Sequence, residues 1–245
     1  MSVGARIVAA DAAAATRLAA RWLAARAAQT AFTRGACSIA LAGGETPRPA
    51  YALLAALPLA DSVPWARVDL WFGDERAVPP TAAASNFRMV CEAFAPLLGA
   101  DATARPRLHR IEAERPDPAT AAADYDAAAP PQFDIVVLGI GADGHTASLF
   151  PGSPALGETR RGYVAVEVPA LPPGRITLTP PRLAAAGDML VLATGAAKAE
   201  AIADALCGPW HPSLCPAQLV RRGTWILDVA AAARLADAAP ERMDP

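Results

Sequence analysis

Residues 133–154 read FDIVVLGIGADGHTASLFPGSP, and this stretch decides the fold. The run Ile135-Val136-Val137-Leu138 is apolar at every position, as in a strand covered on both faces of a parallel sheet. Gly139, Gly141 and Gly144 follow, and they let backbone amides turn toward a ligand without side chains in the way. Asp143 and His145 sit in that bare loop. An imidazole titrates near neutrality, and open α/β sheets bind their ligands at the carboxyl ends of central strands.

The same loop satisfies the dinucleotide pattern G-x-G-x-x-G from Gly139 to Gly144, with Glu167 about 20 residues further on as that fingerprint asks. Pro151 argues against a nucleotide. It is followed by Gly152, Pro154 and Gly157, so the crossover helix that should rise from the third glycine is broken almost at once. The glycines therefore read as a cradle for something other than a pyrophosphate, and no cofactor is expected.

Outward from this loop, strand and helix signals alternate. Strands are predicted at 37–41, 67–72, 108–111, 133–139, 163–168, 175–178, 189–193 and 225–227. Helices are predicted at 49–57, 85–98, 118–128, 181–185, 196–206, 216–220 and 229–236, after a first helix within 6–34 that Asp11 can cap and that turns Leu18, Trp22 and Leu23 to one face. That alternation predicts one Rossmann-like α/β domain over 1–245: a mostly parallel sheet with helices on both faces and a frayed tail at 239–245.

Composition narrows the class. Of 245 residues, 53% are apolar and 19% charged, which fits a well-buried globular chain and excludes disorder. A net charge of −2 supplies no basic field for nucleic acid. No run of about 18 apolar residues exists to span a membrane. The alanine- and arginine-rich start resembles a transit peptide in composition, but the amphipathic-helix reading fits better. Cys37, Cys91, Cys207 and Cys215 lie far apart with no C-x-x-C, as expected of reduced thiols in a cytoplasmic protein. No metal-ligand spacing and no G-x-S-x-G elbow occurs, so neither a catalytic metal nor a serine nucleophile is expected. His109 and His211 read as structural.

Three further strand ends carry polar residues. Gly43-Gly44-Glu45-Thr46 offers bare amides, a hydroxyl and the start of a helix, a combination suited to phosphate, but it lacks the Gly-Lys-Ser/Thr ending of a P-loop. Asp74-Glu75-Arg76 places a carboxylate in the same crevice as His145 and a guanidinium able to pair with phosphate. The third is Thr194-Gly195-Ala196-Ala197-Lys198. Lys198 is the only lysine, all other basic side chains being arginine, and it falls in a first helical turn where a cation opposes the dipole. An anionic ligand explains both facts.

With these segments in hand, the chain resembles the glucosamine-6-phosphate isomerase/6-phosphogluconolactonase family. The resemblance rests on AGGETP (42–47), GDERAVP (73–79), SNFRM (85–89), GIGADGHTASLFPGS (139–153), RITLTPP (175–181) and TGAAK (194–198), in family order. It points to the lactonase branch, because the deaminating isomerases carry a glutamate where this chain has Phe150. The activity implied is hydrolysis of 6-phospho-D-glucono-1,5-lactone to 6-phosphogluconate in the oxidative pentose phosphate pathway. His145 would be the general base, oriented by Asp74 or Asp143, with loop amides steadying the oxyanion and Gly144 among the substrate-binding residues. The phosphate ligands implied are Gly43, Gly44, Thr46, Arg76 and Lys198, then Arg88 and Arg175. Many relatives have serine at Glu45, whose carboxylate is therefore expected to face outward. The partner expected is a small phosphosugar lactone, bound by a monomer or homodimer. The alternatives are a sugar-phosphate isomerase or deaminase, and a non-catalytic sugar-phosphate effector protein.

Overall fold

The computed structural model describes residues 3–99 and 105–235. Its strands are β1 Arg6–Ala9, β2 Cys37–Leu41, β3 Val68–Phe72, β4 Asp74–Arg76, β5 Arg107–Leu108, β6 Ile135–Leu138, β7 Tyr163–Glu167, β8 Gly174–Leu178, β9 Asp188–Ala193 and β10 Thr224–Asp228. Its α-helices are α1 Ala12–Arg34, α2 Arg48–Leu54, α3 Asn86–Ala93, α4 Ala95–Leu98, α5 Pro118–Ala128, α6 Pro180–Ala185 and α7 Ala199–Cys207.

Seven strands form one parallel sheet in the order β1-β10-β9-β6-β2-β3-β5. In β6, Ile135, Val136, Val137 and Leu138 are all buried, so consecutive side chains are covered on opposite faces, as the apolar run predicts. Each such side chain contributes about 1.5–3 kcal/mol by its burial. α1 begins where Asp11 accepts the Ala14 amide at 2.7 Å and ends at Gly35, whose φ of 83° is left-handed. Its buried stripe is mostly alanine (Ala15, Ala19, Ala20, Ala24, Ala27, Ala31) with Leu23, while Leu18 and Trp22 are only half-buried.

The largest departure from the sequence reading is a second sheet. β4, β8 and β7 pair antiparallel in that order, so the two strands predicted at 163–168 and 175–178 leave the parallel sheet. The chain switches sheets at Gly73, whose amide bonds Leu41 O at 2.9 Å and whose carbonyl accepts the Leu178 amide at 2.8 Å. β4 was unreadable as a strand because a charged triplet carries no apolar alternation. β1 was absorbed into the first helix because it is a four-residue edge strand. Smaller differences follow from local chemistry. The 85–98 helix breaks at Phe94 before Pro96, and 196–198 and 216–220 are 3-10 turns. Residues 229–235 form turns, and the predicted tail lies outside the described residues.

Candidate active site

From β2 the chain moves outward to β3 and β5, and from β6 it moves the other way to β9 and β10. Adjacent β2 and β6 therefore diverge at their carboxyl ends, and such a switch point opens a crevice. A cleft of about 300 Å³ lies there. Its walls come from beyond the ends of β2 (Gly43 to Thr46), β6 (Gly139 to Gly141, His145) and β9 (Lys198), and from β4 (Asp74, Arg76), which follows β3. A larger cavity of about 480 Å³ runs beside Trp210 and His211, but His211 is its one ionisable lining residue, so chemistry favours the smaller cleft.

His145 is held from three sides. Its Nδ1 lies 2.6 Å from Asp143 Oδ1, which also accepts the His145 amide at 3.1 Å. Its ring stacks on Phe150 with centroids 4.1 Å apart and planes at 15°. Beneath it is Gly141, where a Cβ would stand 2.2 Å from the imidazole. The loop is knotted by bonds of the Gly141 amide to His145 O and of the Gly144 amide to Gly141 O. Gly144 has a φ of 82° and its amide is spent in that turn, so it shapes the loop and is not offered to a ligand.

Ala147 has a φ of 49°, alone among the described non-glycine residues in the left-handed region, at a cost of about 1–3 kcal/mol. Its neighbours offset that cost. Thr146 Oγ1 donates to Gly139 O at 2.8 Å, the Ser148 amide donates to Thr177 Oγ1 at 3.1 Å, and Ser148 Oγ donates to Asp74 Oδ2 at 2.6 Å. Neutral bonds contribute about 1 kcal/mol each and the charged one about 1.5–3.

Asp74 thus touches Ser148, together with Asn86 Nδ2 at 3.2 Å, and not His145. Of the two candidate orienting carboxylates, geometry selects Asp143. Glu75 turns away from the cleft and caps α3: its oxygens accept from the amides of Arg76, Asn86 and Phe87 and from Ser85 Oγ, at 2.7–3.0 Å. Burial raises its pKa, and those amides pull it back only in part.

The opposite wall carries the cations. Lys198 Nζ donates to Thr46 Oγ1 at 3.2 Å, and burial lowers its pKa while Asp228 partly offsets this. The amides of Gly43 and Gly44 make no hydrogen bond among the described residues. The turn is fixed by buried Tyr51, whose hydroxyl bonds both the amide and carbonyl of Ala42 at 3.0 Å. Arg76 donates to Ala84 O at 2.6 Å and faces the cleft, and Arg175 stands opposite it on β8. Arg175 is 6% exposed, its Nε lacks a partner among the described residues, and burial together with Arg76 lowers its pKa. It is not part of the cleft wall, and neither is Arg88, which pairs with Glu92 at 2.7 Å and donates to Thr81 O on the surface. The side chain of Glu45 is 87% exposed and pairs with Arg48 at 3.8 Å, although the residue still lines the cleft.

His109 stacks on Trp71 at 3.9 Å and bonds Asp69, a structural setting. Sequence reasoning did not find Ser148, Asn86, Thr177 or Tyr51 as supports, because each acts on a residue distant in the chain.

Fold and site together define a doubly wound α/β protein with a histidine–carboxylate pair facing a glycine-lined cleft that also holds Arg76 and Lys198. The family model described as glucosamine-6-phosphate isomerases/6-phosphogluconolactonase matches residues 10–227. The chain belongs to this family. The 6-phosphogluconolactonase of Streptomyces coelicolor is 37% identical over 222 residues, covering 83% of this chain and 84% of its own. That of Mycobacterium tuberculosis is 37% identical over 221 residues, covering 82% and 86%. Among solved structures, 6-phosphogluconolactonase from Trypanosoma cruzi aligns with a TM-score of 0.82 at 28% identity over 96% of this chain and 98% of its own. The likeness therefore spans both sheets. The resemblance read from the sequence stands, on the lactonase side of the family.

Proposed function

We propose that this chain hydrolyses 6-phospho-D-glucono-1,5-lactone to 6-phosphogluconate, with His145 as general base. The observation that carries the reading is the Asp143–His145 pair at 2.6 Å, which faces the same 300 Å³ cleft as the Lys198–Thr46 pair. With its proton on Nδ1, the imidazole donates to Asp143 and leaves Nε2 a lone pair. Nε2 takes a proton from water as the water oxygen bonds to the lactone carbonyl carbon. The same proton then passes to the ring oxygen as its bond to that carbon breaks. Asp143 steadies the imidazolium formed between the two steps, as a carboxylate does in a catalytic triad. General-base help of this kind contributes about 10²–10⁴-fold.

The phosphate is held by the free amides of Gly43 and Gly44, by Thr46, and by Arg76 and Lys198. Arg175 adds positive potential from beside Arg76, and Arg88 drops out of the set because it is committed to Glu92. Phe150 supports hydrolysis over isomerisation: it stacks on His145 and offers no second acid or base. One α/β domain, acting in the cytoplasm as a monomer or homodimer, suffices for this chemistry. Among the described residues, no helix is long and apolar enough to cross a membrane.

The test is lactone freshly made by glucose-6-phosphate dehydrogenase, followed with a correction for spontaneous hydrolysis. Acceleration of lactone loss without ammonia release from glucosamine 6-phosphate is expected. Ammonia release, or no acceleration, would overturn the reading.

A further inference from the structure

Lys198 carries the only lysine amine of the chain, among 22 basic side chains of which the rest are guanidinium groups. It lines the cleft, half-buried, and the single hydrogen bond of its Nζ among the described residues goes to Thr46 Oγ1. Among the described residues no carboxylate forms an ion pair with it, and Asp228 acts on it only through space. Burial holds its pKa below the ordinary lysine value, so more of the amine is neutral than on an open surface. A neutral, desolvated lysine is a nucleophile, and a guanidinium never becomes one. Within the same cleft stand the uncommitted amides of Gly43 and Gly44 and the guanidinium of Arg76.

We propose that Lys198 is a modification site for acyl phosphates, which transfer their acyl group to Nζ. Geometry selects the class of donor. In an acyl phosphate the acyl carbon is joined to phosphorus through one oxygen, so a phosphate in the glycine cradle presents that carbon to the amine beside Thr46. The Nζ lone pair forms the new N–C bond. The C–O bond to the phosphate breaks, its electron pair goes to the phosphate oxygen, and the proton lost by nitrogen ends on the phosphate. The products are an amide and inorganic phosphate, with no redox change. The amide is neutral, so the modified cleft loses a cation and binds phosphosugar more weakly. This inference rests on the phosphate-binding reading of the cleft.

The experiment treats the full chain with acetyl phosphate, with a short lysine peptide in the same tube as reference, and maps acetylation by peptide mass. Lys198 is expected to react at least about tenfold faster than the peptide, because the cradle holds the donor against it. Inorganic phosphate is expected to reduce that excess, and N-acetoxysuccinimide, an acetyl donor without phosphate, to show only the smaller preference that the lowered pKa gives, which phosphate leaves unchanged. Acetylated protein should show a raised KM for the lactone. If Lys198 reacts no faster than the peptide while phosphate still inhibits lactone hydrolysis competitively, acyl transfer is overturned and the phosphate cradle stands. If N-acetoxysuccinimide shows the same preference, the cradle plays no part and the proposal falls. If phosphate neither protects nor inhibits, both readings fall.

Discussion

At the scale of single residues, the account turns on which carboxylate serves His145. Both Asp74 and Asp143 stand at strand ends beside the histidine, and the sequence could not choose between them. The choice depends on Ser148, whose hydroxyl occupies Asp74 from across the chain, while Asp143 is two residues from the ring it contacts. Asp143→Asn is expected to lower kcat by about tenfold or more with little change in KM, since the amide no longer stabilises an imidazolium. A steady-state titration with lactone reads both constants, and an unchanged kcat would return the role to Asp74. Gly141→Ala probes the same ring from below. A Cβ there would lie 2.2 Å from the imidazole and 2.6 Å from Asp143 Oδ1, so the ring and its carboxylate must shift and kcat should fall in the same titration; an unchanged kcat would mean the pair tolerates the displacement. The histidine, its aspartate and the glycine turn were legible because they share one short segment. Phe150 was legible only as a missing acid; its stacking needed the folded loop.

Glu75 shows how an element can hide a function from the sequence. The sequence assigned Glu75 no role of its own within its triplet, yet it is 3% exposed and its carboxylate ties β4 to the first turn of α3. That tie carries Asn86 against Asp74 and Gly43, where a Cβ would meet the Asn86 side chain at 1.9 Å. Glu75→Gln keeps an acceptor but turns an NH2 toward one of the amides. It should cost about 1–3 kcal/mol, read as a lower urea midpoint at an unchanged slope. An unmoved midpoint would remove Glu75 as the cap. The raised pKa adds a pH signature. Stability from a carboxyl raised on folding is present below its unfolded pKa and is lost as pH rises through the folded one. The Glu75→Gln penalty should therefore shrink as pH rises through the folded pKa, where the wild-type carboxyl ionises in its buried site. The long apolar strands announced themselves by composition, whereas β4 is three charged residues and became a strand only by pairing with β8.

Over the whole molecule, alternating strands and helices were enough to foresee a parallel sheet, but not the strand order, because periodicity says nothing about neighbours. Order is what places four strand ends around one cleft in a chain whose net charge is −2. The cleft gathers both signs, with Lys198 and Arg76 on its wall and Arg175 close by, against Asp74 and the exposed Glu45. Lys198 titrates below an ordinary lysine, so its ammonium is lost at a lower pH and affinity for 6-phosphogluconate should weaken earlier on the alkaline side. In Lys198→Arg that alkaline limb should vanish while affinity drops at neutral pH, the guanidinium fork being a poor substitute for a compact ammonium. Calorimetric titration with 6-phosphogluconate across pH measures both effects, and identical profiles would place Lys198 outside the phosphate site. The measurement that bears most directly on the central claim is the rate of lactone loss for His145→Ala beside wild type, corrected for spontaneous hydrolysis, on protein whose circular dichroism matches. A fall of about 10²-fold or more is expected; a rate near wild type would contradict the assignment of His145 as the base.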